Sequence, residues 1–192
     1  PGFDHGPFLE EGADIIGDAT FYPANETNPQ GEALPMVGFS YCSQACEVEI
    51  DTATGRIKIL KFVSILDPGK PLNTELVKGQ IEGGVGTGIG TALMEEMQFS
   101  SDGRLTNGNL TDYRIPTSLD FPEGDNIILD IVETDYQNGP YGAKGIGEVV
   151  LCATAATIAS AIYNATGVRI KDMPLTPERV AQALAEHASN GH

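Results

Sequence analysis

The chain has 192 residues, 41% of them hydrophobic, enough to bury the core of one domain, with or without an arm. Its 27 acidic residues outweigh 11 Lys and Arg, and the resulting net charge of −16 argues against a nucleic-acid surface or an anionic membrane surface. Cys42, Cys46 and Cys152 are odd in number and lack paired Cys-x-x-Cys spacing, which excludes a disulfide framework and a thiolate zinc site.

Buried free thiols in a reducing, cytoplasmic setting are therefore expected. No basic leader precedes an apolar run, and no run of about 18 apolar residues occurs, so neither a signal peptide nor a membrane span is expected. Residues 1–36 are rich in Pro, Gly, Asn and acids without periodicity, and read as an extended N-terminal arm needing a partner surface. Residues 37–192 are expected to form the folded domain.

Val48 and Ile50, then Ile57 and Ile59, alternate with polar residues, and Asp51-Thr-Ala-Thr-Gly55 supplies turn chemistry between them. An antiparallel hairpin follows, with strands over 39–51 and 56–66, ended by Asp67-Pro68-Gly69. From 72 to 97, Asn73 offers a helix cap, and Val77, Ile81, Val85, Ile89 and Leu93 paint one helical stripe. Six glycines (79, 83, 84, 86, 88 and 90) interrupt it. Each costs a helix interior about 0.8–1 kcal/mol relative to Ala, so packing must hold this helix. Its glycines admit another backbone or a ligand, and Gln80 is the polar residue best placed to serve one. No dinucleotide or Walker register fits them.

Residues 126–134 read as a strand apolar enough to be buried on both faces. Then comes Tyr141-Gly-Ala-Lys-Gly-Ile-Gly-Glu148, with three glycines in six positions and a carboxylate at its end. This reads as a close-approach loop running into a helix. The helix from Val149 to Ala165 lacks a polar face and is expected to be buried nearly all round, with Gly167 ending it. Burial would raise the pKa of Glu148 and the positive helix end would lower it. Either way it is a candidate for proton transfer. A plain glycine turn with a solvated Glu fits the spacing as well. Thr176 and Pro177 start a last helix. His5, His187 and His192 read as solvated or structural.

Tyr141–Glu148 resembles the C-terminal signature of the molybdenum hydroxylases, the xanthine dehydrogenase and aldehyde oxidase family, in the large molybdopterin-binding subunit. Gly79-Gln-Ile-Glu-Gly-Gly-Val-Gly-Thr-Gly-Ile-Gly90 resembles that family's glycine-rich cofactor helix. Glu47–Asp51 with Gly55, the Asn73 region and Leu175–Val180 match in the same order. The resemblance implies an α+β fold: an antiparallel hairpin and short strands packed with a glycine-rich helix and a buried Ala-rich helix. It implies an enzyme subunit that inserts water-derived oxygen at an electron-poor carbon of an N-heteroaromatic or aldehyde substrate. Glu148 would be the base toward a molybdenum-bound hydroxyl, and Gln80, Lys144, Gly145 and Gly147 cofactor contacts.

The implied cofactor is molybdenum–molybdopterin, the cytosine dinucleotide form included, with [2Fe-2S] clusters and FAD on partner subunits. The implied partners are the remaining part of the molybdopterin subunit, an Fe-S subunit and a FAD subunit. Two departures stand out: Thr87 where the family commonly has Gln, and Val149-Val150 where it has Pro-Pro. The alternative of a different class is a non-catalytic assembly subunit, with Glu148 a mere helix-end carboxylate.

Overall fold

The structure, a computed structural model, describes residues 38–190 together with Thr20, Gln30 and Gly31. The chain divides at Val37/Gly38, and every element below belongs to the second unit. Apart from those three residues, the arm expected over 1–36, with His5, lies outside the described residues, as does His192.

Two strands form the expected hairpin, β1 (Tyr41–Ile50) and β2 (Ile57–Asp67), paired antiparallel from Tyr41↔Asp67 to Ile50↔Ile57. A bulge at Glu47/Val48 shifts the register by one residue. The extra residue, Leu60, lies on β2, so Ile59 and Phe62 are both buried there, while β1 alternates unbroken with Cys42, Gln44, Cys46, Val48 and Ile50 inward. Gly55, at φ +72, closes the turn beneath the start of the last helix, where a Cβ would meet Pro177 O at 2.0 Å.

β3 (Ile127–Ile131) adds to β2 in parallel, giving the order β1-β2-β3. The sequence suggested burial on both faces of this strand. The structure corrects that to an edge strand of alternating exposure, with Ile128 40% exposed. Both patterns read as an apolar run, and periodicity alone does not separate them.

Helix α1 (Thr74–Leu93) begins at Asn73, whose side chain accepts from the Leu76 amide at 3.1 Å. Its stripe is buried at Val77, Ile81, Val85 and Ile89. Each such side chain contributes roughly 1.5–3 kcal/mol by leaving water. Helix α2 (Val149–Thr166) ends at Gly167 in the left-handed conformation, φ 73. Helix α3 (Pro177–Asn190) starts at Thr176, whose hydroxyl accepts from the Arg179 amide at 3.4 Å. α1 and α2 pack together over one face of the sheet, α2 against β1.

The expectation of an all-round buried α2 fails. Only Val150, Thr154, Ile158 and Ile162 are buried, one residue per turn, and Cys152, Ala156 and Ser160 are exposed. By length and composition α2 is also long and apolar enough to cross a membrane, contrary to the sequence reading. Its buried stripe nonetheless packs into the core. Alanine, Thr and Ser on the remaining face carry little surface each, so the helix tolerates exposure there. The thiols depart from expectation too. Cys152 is exposed and the other two are partly buried. Burial pushes the Cys46 thiol up to about 11.

Candidate functional site

The six glycines of α1 divide by what surrounds them. A Cβ at Gly84 would sit 2.7 Å from Val150 Cβ, and one at Gly88 would sit 2.2 Å from Thr154 Cβ. Gly86 faces the Phe121 ring, and Gly90 faces Glu95 and Pro116. These four are required by the fold. A Cβ at Gly79 or Gly83 would meet nothing within 4 Å among the described residues, and both have ordinary helical backbone. They border an open groove of about 490 Å³ lined by Glu82, Thr87, Glu95, Ile115 and Phe121 among others. Glu95 is oriented there by the Tyr113 hydroxyl at 2.8 Å, a bond that pushes the Tyr113 pKa up.

Gly84 meets Val150 and Gly88 meets Thr154, so α1 and α2 run in parallel at their contact. Gln80, one turn before Gly84, and Glu148, two residues before Val150, therefore lie toward the same end of the helix pair. Both are exposed, and neither side chain makes a hydrogen bond among the described residues. Glu148 occupies the N-cap position of α2 without capping it. The low-dielectric mouth expected around it is thus not formed by these residues, because the outer face of α2 is open. Val150, where the family pattern has proline, is 1% exposed and fills the notch at Gly84. Gln44 Nε2 donates to Val150 O at 2.9 Å and ties this first turn to β1. The partner Gln44 Oε1 is buried with no hydrogen bond.

The loop before Glu148 is built against the end of β2. Lys70 N donates to Gly142 O and Lys144 N to Pro68 O, both at 2.8 Å. Gly142 is at φ 84 and Tyr141 at φ 55, the latter costing about 1–3 kcal/mol for a bulky residue. Lys144 Nζ lies 2.6 Å from Asp67 Oδ2, with the two side chains 9% and 10% exposed. The ammonium also lies over the rings of Tyr41 and Tyr136, at 5.4 and 5.5 Å. Both the amide and the ammonium of Lys144 are therefore committed within the chain, which narrows the expected cofactor contact there to its carbonyl. Gly145 and Gly147 are exposed, and a Cβ on either would meet nothing within 4 Å.

Burial alone would raise the Asp67 pKa. Bonds from Lys144, the Gly69 amide and Thr134 more than offset it and hold the carboxyl below its ordinary value of 3.8. Such a group contributes stability above its unfolded pKa and loses it as pH falls through the folded one. The stability gap between wild type and Asp67→Asn should therefore be full above pH 3.8 and close below it in an acid-unfolding titration.

Sequence reasoning read Asp67 only as part of a turn and passed over Gln44, Tyr41 and Tyr136. For Gln44 a signal existed: a lone amide at an inward position between Cys42, Cys46 and Val48. Among the described residues no cluster of His, Cys, Asp and Glu is arranged to hold a metal ion.

This arrangement is that of a class of cofactor-binding domains. A family model described as the molybdopterin cofactor-binding domain matches residues 9–122. The putative xanthine dehydrogenase molybdenum-binding subunit XdhA of Escherichia coli (strain K12) is 38% identical over 171 residues, 87% of this chain and 22% of that protein. The aldehyde oxidoreductase molybdenum-binding subunit PaoC of the same organism is 34% identical over 148 residues, 77% of this chain and 20% of its own length. The crystal structure of the aldehyde oxidoreductase from Desulfovibrio desulfuricans superposes with a TM-score of 0.73 at 36% identity, covering 84% of this chain and 17% of that one. The chain belongs to the molybdenum hydroxylase family. It spans about a fifth of the length of the curated relatives it matches. Loop 141–148 lies beyond the residues that the family model matches.

Proposed function

We propose that this chain is the C-terminal part of the catalytic subunit of a molybdenum hydroxylase. It would act on an N-heteroaromatic or aldehyde substrate, with Glu148 as the base. One observation carries the reading: Gly79, Gly83, Gly145 and Gly147 leave room for side chains that this chain's own packing does not forbid. In α1 that choice costs about 0.8–1 kcal/mol per residue, with no contact among the described residues to offset it. A bulky group approaching the backbone closely accounts for it, and molybdopterin fits that description.

Gln80 and the exposed backbone of Lys144, Gly145 and Gly147 would hold the cofactor. When bound, it supplies two-electron redox chemistry at an electron-poor carbon. Glu148, with no side-chain partner among the described residues, offers both carboxylate oxygens as proton acceptors toward the water-derived nucleophile. The rest of the molybdopterin subunit, an Fe-S subunit and a FAD subunit complete the assembly and carry the electrons away.

Gly83→Ala separates this reading from a purely structural one. In cofactor-free protein it should stabilise the helix by up to about 1 kcal/mol, since its Cβ enters open space. In the assembled complex it should lower molybdenum and pterin content, read by metal analysis and pterin fluorescence. Full cofactor content in Gly79→Ala/Gly83→Ala would refute the cradle. Activity with Glu148 replaced would leave the assembly-subunit reading standing.

A further inference from the structure

We infer that Asp67 is a positioning residue: paired with Lys144, it fixes the loop from which the Glu148 carboxylate is presented. This rests on the reading of Glu148 given above. Between Lys144 and Glu148 stand Gly145, Ile146 and Gly147, and a Cβ on either glycine would touch nothing. Ile146, between them, packs against the core, so the place of Glu148 is set by that one anchor and by whatever holds the two ends of this short bridge. At the far end, Val150 sits in the Gly84 notch and its carbonyl is held by Gln44. At the near end, the holder is Lys144.

Lys144 is held from several directions. Asp67 Oδ2 takes its ammonium at 2.6 Å, while Asp67 Oδ1 accepts from the Gly69 amide at 2.9 Å and from Thr134 Oγ1 at 2.8 Å. Ser40 Oγ donates to Gly145 O at 2.6 Å, one residue further on. A Cβ at Gly69 would meet Gly142 O at 2.3 Å, so the two backbones lie in direct contact. Just upstream, Tyr141 stays at φ 55, a conformation that persists only where the surroundings over-determine it.

A buried ion pair is weak evidence for net stability. Either charge alone is strongly disfavoured in this nearly closed site, so the loop has one docked arrangement in place of a range. The tether thus trades little in stability for definition of geometry. A displacement of about 1 Å at a reacting group is enough to cost roughly 100-fold in rate.

The test uses the assembled complex, prepared with and without cofactor. Two variants are informative: Asp67→Asn, and Asp67→Asn/Lys144→Met, which leaves no unpaired charge. Without cofactor, amide exchange across 142–147 should rise about tenfold or more, as local opening becomes easier. With cofactor, kcat should fall about 10- to 100-fold with KM within about twofold. Added to Glu148→Gln at equal cofactor content, either variant should cost far less in kcat than it does alone, because the tether acts on turnover chiefly through that carboxylate.

If the variants do not assemble, Thr134→Val removes one bond and leaves both charges paired; its exchange and kcat should shift the same way, about threefold. Loop exchange and kcat equal to wild type would overturn the inference, as would losses that multiply onto those of Glu148→Gln. Wild-type turnover in Glu148→Gln itself would overturn the underlying reading instead, and the cofactor-free exchange would still decide the tether.

Discussion

Glu148→Gln is expected to remove turnover while the complex assembles and loads its cofactor as before. The loss should be about 100- to 10,000-fold in kcat, the range attributed to a positioned general base. The variant is nearly isosteric and nothing among the described residues leans on the charge. The carboxylate is exposed, caps no helix amide and joins no ion pair among the described residues. A structural role would need at least one of these. The amide keeps the shape and removes the basic oxygen, so unfolding temperature, metal content and substrate binding should stay near wild type. Turnover within a few-fold of wild type, at full metal content, would remove Glu148 from the mechanism and return it to the status of a helix-end acid.

The long periodic elements were legible in the sequence because one physical signal dominated each. The α1 stripe at 77, 81, 85 and 89 is buried as spaced, the Asn73 and Thr176 caps hold their helices, and the hairpin closes through Gly55. Exposure was less legible. α2 and β3 read as apolar runs, and such a run does not say which of its faces is covered. In α2 one residue per turn is fully buried. The site was legible as a loop of glycines ending in an acid. Its support was not, since Asp67 and Lys144 are 77 residues apart and each looks like an ordinary surface charge until folding joins them. The division of the α1 glycines into four that pack and two that do not was likewise invisible, because neighbours across helices leave no local pattern.

That division makes Gly88→Ala a disruptive change at the contact between α1 and α2. Its Cβ would lie 2.2 Å from Thr154 Cβ, 2.6 Å from Thr154 Cγ2 and 2.7 Å from Thr154 Oγ1. A rotamer change of Thr154 moves Cγ2 and Oγ1 but not Cβ, so relief requires α1 and α2 to separate. Thr154 is fully buried, and its hydroxyl is engaged with Val150 O at 3.1 Å. Overpacking of this kind costs about 1–3 kcal/mol or more, against a helix-propensity gain of at most about 1. The net loss should appear as a lower unfolding temperature of the cofactor-free complex. Gly83→Ala makes the same chemical change on the opposite face and should shift it slightly upward. Because α2 carries Glu148 at its head, Gly88→Ala should also lower kcat in protein that still loads cofactor. Equal unfolding temperatures for the two variants would mean that the α1–α2 contact is looser than the Gly88–Thr154 approach requires, and with it the placement of Glu148 beside the glycine helix would fail.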